Sequence, residues 1–174
     1  MCEIQTARLT VRPIVADDWT SIQKIWEDVN ASDYAQYDMP HNTAEEDVRP
    51  RVARWANASS GMDHLFFAVC LERVVIGYIA FNIRQAGYEI GYCFHSDYHG
   101  KGYASESLRA LLAHLRGLGL TRFSAGTALA NTPSVRLLTS LGFRLVGTEE
   151  VSFYKDADGD DIVFEGGVFE LILD

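Results

Sequence analysis

The clearest chemical signal in the sequence is the run Tyr88-Glu89-Ile90-Gly91-Tyr92-Cys93-Phe94-His95-Ser96-Asp97-Tyr98-His99-Gly100-Lys101-Gly102-Tyr103-Ala104-Ser105. It reads as a strand, then a glycine-containing loop, then the start of a helix. The first N–H groups of a helix have no intrahelical acceptors, and the helix dipole adds positive character, so an anion such as phosphate is favoured there. Gly100 and Gly102 remove side chains where a ligand would approach the backbone. Lys101 is either a further positive charge or a solvated side chain. The pattern alone is weak evidence. No GxxxxGK[ST] loop is present, and a dinucleotide fingerprint starting at Gly100 would place Ser105 where glycine or alanine belongs.

Other residue clusters read as structural. His95 and His99 are four apart but fall in a loop, with neither HExxH nor a cysteine partner to suggest zinc, and no metal is expected. His64 and His114 have no case as functional residues. Asp156-Ala157-Asp158-Gly159-Asp160 lacks the glycine and glutamate of a calcium loop at the required positions, and a hairpin turn is the better reading. Three cysteines, at 2, 70 and 93, are too few and too widely spaced for a disulfide framework or a metal knuckle.

The elements that would position the loop follow from periodicity. A strand is predicted over Arg8–Ile14, and a helix capped by Asp17 or Asp18 should run to about Val29. Trp19, Ile22, Ile25, Trp26 and Val29 would share one face of it. Thr43 and Glu46 form a candidate capping box for a second helix, which Pro50 should kink or restart. Leu65–Leu71 and Val74–Asn82 read as a hairpin turning at Glu72-Arg73, with Gln85-Ala86-Gly87 the next turn and Tyr88–Phe94 the next strand. The helix Gly102–Leu118 carries Ala104, Leu108, Leu111, Leu112, Leu115 and Leu118 on one face. Arg122–Thr127 is a short strand, Pro133–Leu141 a short helix, and Phe143–Tyr154 with Ile162–Leu173 a long final hairpin. This order predicts an α/β (α+β) fold: a mixed, mostly antiparallel twisted sheet of about seven strands flanked by about four helices.

Composition bounds the rest. The 174 residues suit a single domain, 1–174, able to build its own core, and 48% apolar content is ordinary for a globular chain. The opening residues lack a signal-peptide pattern and no apolar run reaches the length of a membrane span, so a cytoplasmic protein without membrane association is expected. A net charge of −9 argues against nucleic acid as a partner and suits a cationic one, although solubility alone also explains an acidic surface.

Specificity comes from three separated motifs in order. His99-Gly100-Lys101-Gly102-Tyr103-Ala104 resembles the [RQ]-x-x-G-x-[GA] element of the GCN5-related N-acetyltransferase (GNAT) family, with His99 departing from the usual Arg or Gln. Asn131-Thr132-Pro133-Ser134, ending in Leu141-Gly142-Phe143, resembles that family's Asn-x-x-Ser helix. Thr6-Ala7-Arg8-Leu9 with Arg12-Pro13, and Glu89-Ile90-Gly91-Tyr92, resemble the ribosomal-protein N-terminal acetyltransferase (RimJ/RimL-like) branch.

The resemblance implies a sheet splayed between its fourth and fifth strands, with acetyl-CoA as co-substrate and no metal. Main-chain groups of Tyr92, Cys93 and Phe94 would pair with the pantetheine arm. The amides of Gly100, Lys101, Gly102, Tyr103, Ala104 and Ser105 would hold the diphosphate, and Asn131 would also contact the cofactor. The acceptor is an amine, either a protein N-terminus or a small molecule. An alkylammonium must lose a proton before it attacks a thioester, and Glu89 stands where many family members place a glutamate base. Ser134 matches the serine proposed to serve the leaving thiolate, or is simply a helix-start hydroxyl. Tyr103 and Tyr154 are less well placed alternatives. His41 falls where the branch usually carries a substrate-lining segment, and a solvated loop histidine is the competing reading; of the aromatic residues near the first helices, Trp19, Trp26 and Trp55 read as core by helical spacing, and Tyr34 and Tyr37 are acceptor-site candidates. An acyl-CoA-binding sensor without turnover is the alternative function. Monomer and homodimer both stay open, since an apolar edge strand in the final hairpin offers a pairing surface.

Overall fold

The computed structural model describes residues 3–174, so Cys2 lies outside the described residues. Strands β1 (Ile4–Gln5) and β2 (Leu9–Pro13) precede helices α1 (Trp19–Asn30) and α2 (Glu45–Ala58). Strands β3 (His64–Leu71), β4 (Val74–Arg84) and β5 (Gly87–Phe94) follow, then α3 (Tyr103–Gly117), β6 (Arg122–Ala128), α4 (Thr132–Ser140), β7 (Arg144–Lys155) and β8 (Asp161–Ile172). The strands form one eight-stranded sheet in the order β1-β2-β3-β4-β5-β6-β8-β7. Every neighbouring pair is antiparallel except β5 and β6.

Helices cover both faces of the sheet, which is why β3 and β4 read as nearly continuous apolar runs. On one face Leu108, Leu111, Leu112 and Leu115 of α3 pack on Leu65, Phe67, Ile79, Phe81 and Ile90. On the other, Ile22, Ile25 and Trp26 of α1 and Val48 and Val52 of α2 pack on Phe66, Ala68, Tyr78 and Ala80. The tryptophans expected in the core are there: Trp26 is buried, and Trp19 and Trp55 pack against the same cluster.

The parallel pairing of β5 and β6 sets the functional geometry. It consists of Tyr88↔Phe123 and Glu89↔Ser124 only, and beyond these the two strands separate. Gly87 makes the close approach possible: a Cβ there would lie 2.3 Å from the Arg122 carbonyl oxygen. The splay therefore opens between Tyr88–Phe94 and Arg122–Ala128, the same two strands the sequence implies. It falls between the fifth and sixth strands because Ile4–Gln5 adds one to the count.

Three local expectations are corrected. Asp18 precedes α1 but its carboxylate does not cap that helix; it takes two 2.8 Å hydrogen bonds from the Arg12 guanidinium and one from the Val15 amide. Thr43 and Glu46 form no capping box, since α2 starts after Ala44, whose amide donates to the Asn42 side chain. Pro50 lies inside α2 and the helix runs through it without restarting. The carbonyl deprived of a donor belongs to Glu46, which is exposed, as is Pro50.

Candidate active site

After β5 the chain forms a short 3-10 helix, Ser96–Tyr98, and then the glycine turn that opens α3. Asp28, in the last turns of α1, accepts hydrogen bonds from the Ser96 amide (2.8 Å) and hydroxyl (2.6 Å). Burial pushes the Asp28 carboxyl up, but the Ser96 bonds and the nearby His95 and His99 outweigh it, and the net shift is downward. His99 stands at the departing motif position. Its Nε2 lies 2.8 Å from the Phe94 carbonyl oxygen. A carbonyl only accepts, so Nε2 carries the proton and ties the turn back to the end of β5.

Gly100 (φ +71°) and Gly102 (φ +81°) are both left-handed, a conformation L side chains adopt at a cost. With the backbone so turned, none of the main-chain N–H groups of residues 100–105 donates to a protein acceptor among the described residues; the first helical bond runs from the Glu106 amide to the Gly102 carbonyl. Six consecutive free donors at a helix start make a nest suited to an anion. Lys101 folds back: its ammonium donates to the Asp97 carbonyl (2.8 Å) and lies 5.8 Å from the Tyr98 ring centre. The Ser105 hydroxyl accepts from Arg109 Nε (3.3 Å).

Beside this turn, β5 pairs with β4 along its whole length but with β6 only at its first residues. The gap-facing edge of residues 90–94 therefore has no strand partner, a geometry in which an extended chain can add main-chain hydrogen bonds. Cys93 lies on the α1–α2 face of this strand, where burial first and the Asp38 and Asp28 charges next push its thiol far up, away from a reactive thiolate. Tyr92 points to the opposite face. Its hydroxyl lies 2.7 Å from that of Ser134, at the start of α4. Burial pushes the Tyr92 phenol up to about 12, and the Ser134 bond acts in the other direction. Asn131 is the N-cap of α4, its side-chain oxygen accepting from the Ser134 amide at 3.3 Å.

Glu89 sits at the closed end of the splay. Its side chain is 40% exposed and ion-paired with Arg84. Sheet register places Asn82, Glu89, Ser124, Glu170 and Arg144 in one row across β4, β5, β6, β8 and β7. Paired residues share a face, so Ser124 lies beside Glu89 on the next strand, and Glu170 stands one strand beyond Ser124. Sequence reading missed both, because only long-range strand pairing brings them into the row of Glu89.

Of the residues expected to line the acceptor site, Tyr37 packs edge-on against Phe164 of β8 (5.4 Å between ring centres) and tilts against Tyr34 (6.5 Å). Tyr34 is exposed. His41 is not a solvated loop residue: it stacks on Trp26 at 4.8 Å, and Nε2 lies 3.3 Å from Asp38. Tyr103 lies under the Arg8 guanidinium and Tyr154 is on β7, neither of them joined to Ser134 as Tyr92 is. No group of three or more His, Cys, Asp or Glu poised to hold a metal occurs among the described residues. No helix among them is long and apolar enough to cross a membrane.

A mixed sheet splayed beside a helix start with free main-chain amides is an acyltransferase architecture. The acetyltransferase (GNAT) domain family matches residues 8–144, and the chain belongs to that family. It is 33% identical over 150 residues to a Bacillus subtilis (strain 168) protein named uncharacterized N-acetyltransferase YnaD, covering 83% of this chain and 84% of that one. The structure of a GNAT-family acetyltransferase from Bacillus anthracis is similar at 28% identity and a TM-score of 0.78, covering 98% of both chains. RimL, a ribosomal α-N-protein acetyltransferase solved in complex with coenzyme A, shares the fold at 20% identity and a TM-score of 0.84, covering 99% of this chain and 98% of its own.

Proposed function

We propose that the protein, working as one acetyltransferase domain, transfers the acetyl group of acetyl-CoA to an amine within a ternary complex, with no covalent enzyme intermediate. The observation that carries this reading is the set of six free amides at residues 100–105 beside a strand edge that is open at residues 90–94. The amides receive the diphosphate. The pantetheine arm lies along the open edge at Tyr92, Cys93 and Phe94, and Asn131 adds a contact through its amide nitrogen.

Glu89 takes a proton from the acceptor ammonium, directly or through water. The freed amine attacks the thioester carbonyl, the C–N bond forms, and the C–S bond then breaks. The proton that the nitrogen sheds after attack passes to the departing sulfur through the Ser134 hydroxyl, which gives one proton to the sulfur, receives one in its place and is held by Tyr92. Tyr34 and Tyr37 line the acceptor side, and His41 supports that segment through its stack on Trp26. The acceptor is a protein N-terminus or a small amine. Protein N-termini fit the likeness to the RimJ/RimL-like branch, and small amines fit an acidic surface equally well.

The test is release of free CoA thiol from acetyl-CoA across a panel of N-terminal peptides and small amines. Release that depends on one acceptor class supports the reading and names the class. Tight binding of CoA with no release for any amine contradicts it.

A further inference from the structure

Arg8 lies far from the glycine turn in sequence, yet its side chain reaches Lys101, Gly102 and Tyr103. Its Nη1 donates to the Lys101 carbonyl (2.9 Å), and its Nε and Nη2 reach Glu106 Oε2 (2.8 and 2.7 Å). Its own amide donates to Glu106 Oε1 (2.9 Å), as does the Thr6 hydroxyl (2.6 Å). The guanidinium also covers the Tyr103 ring at 4.5 Å, and a Cβ on Gly102 would meet its Nη2 at 3.4 Å.

Two physical consequences follow. In a trans peptide the C=O and the next N–H point in opposite directions. Fixing the Lys101 carbonyl onto Arg8 therefore aims the Gly102 N–H away from Arg8. Second, Glu106 is an acidic residue in the first turn of α3. Such a carboxylate suits the helix dipole but repels an anion bound at the same helix start. The Arg8 charge neutralises it, and the Thr6 hydroxyl adds a hydrogen bond.

We propose that Arg8 is a positioning residue for diphosphate recognition: through the Lys101 carbonyl and Glu106 it orients the turn's amides and removes the opposing charge. This rests on the reading that the diphosphate of CoA binds residues 100–105. Because Arg8 acts only on that part of the ligand, its loss should spare ligands without a diphosphate.

The experiment compares binding of CoA and of pantetheine, which lacks the diphosphate, to the wild type, Arg8→Ala, Arg8→Lys and the double variant Arg8→Ala/Glu106→Gln, with thermal melts to establish that each is folded. The wild type should favour CoA strongly. Arg8→Ala should weaken CoA by about tenfold, the loss of a charge-assisted contact, with pantetheine unchanged. Arg8→Lys should recover only part, since an ammonium cannot bridge Glu106 and Lys101 while covering Tyr103. The double variant should bind CoA better than Arg8→Ala, because no uncompensated carboxylate remains. Equal loss for both ligands in Arg8→Ala and Arg8→Lys, or no loss for either, overturns the proposal. A wild type that does not distinguish CoA from pantetheine overturns the diphosphate reading itself, and the role of Arg8 falls with it.

Discussion

The hydroxyls of Tyr92 and Ser134 lie 2.7 Å apart, linking β5 to the start of α4 across the splayed gap. If Tyr92 donates, the Ser134 proton is free to face the leaving sulfur. Ser134→Ala should then lower kcat by about a hundredfold, with Tyr92→Phe closer to wild type, since general-acid groups contribute factors of that order. Burial holds the Tyr92 phenol up near 12, so the folded state keeps its proton longer than the unfolded chain, whose tyrosines titrate near 10. Stability from this group is intact below pH 10 and falls as the pH rises toward about 12. Removing Ser134 removes a downward influence, so NMR titration of labelled tyrosine should show the Tyr92 signal moving higher in Ser134→Ala. An unchanged titration would mean that the hydroxyls are not paired in solution.

Glu89 is half-exposed beside Arg84, in a row that includes Ser124 and Glu170. Glu89→Gln keeps the shape but cannot accept a proton at neutral pH. It should reduce kcat by about a hundredfold while leaving CoA binding within twofold. Steady-state kinetics paired with a binding titration checks this, and full activity in Glu89→Gln would remove it from the mechanism.

Gly102 combines a left-handed backbone with Arg8 close by. A residue with a Cβ costs about 1–2 kcal/mol in that conformation. Gly102→Val should lose that much stability and weaken CoA by at least about tenfold, because the side chain also displaces the Arg8 guanidinium. Gly100→Ala meets the same backbone cost but open space, so its effect on binding should be smaller. Denaturant melts and CoA titrations separate the two terms.

Burial pushes the Glu106 carboxyl up, but the Thr6 hydroxyl and Arg8 lower it more, and the net shift is below its ordinary 4.5. The stabilisation this provides is present above pH 4.5 and is lost as the pH falls through the lowered folded-state value. Glu106→Gln should therefore be less stable than wild type at neutral pH, and the difference should shrink on acidification below that point. Urea midpoints measured across the acid range would show it. A constant difference at all pH values would contradict the ion pair.

Much of the fold was legible because its signals are local. The apolar stripe of α3 and the alternation in β5 placed those elements within a residue of their observed ends. Gly100 and Gly102 announced the turn, since little else in a sequence demands left-handed backbone so directly. What stayed hidden depends on distant partners. The two-residue β1 exists only because Val11 and Thr10 lie beside it. Asp18 looked like a helix cap, but Arg12 offered its carboxylate a charged partner. Nothing in the sequence around His41 points to its stack on Trp26, which comes from α1. The same holds for the site: the glycine turn was visible in sequence, whereas the Tyr92–Ser134 contact, the row that puts Ser124 beside Glu89, and the Arg8 clamp arise from pairing across the chain.

The most direct test is to titrate backbone-labelled protein with CoA and follow each amide by NMR. The Gly100, Lys101, Gly102, Tyr103, Ala104 and Ser105 N–H signals should shift most, together with residues 90–94 along the open strand edge. Saturable CoA binding that leaves those six amides in place, with the shifts elsewhere on the molecule, would contradict the proposed site.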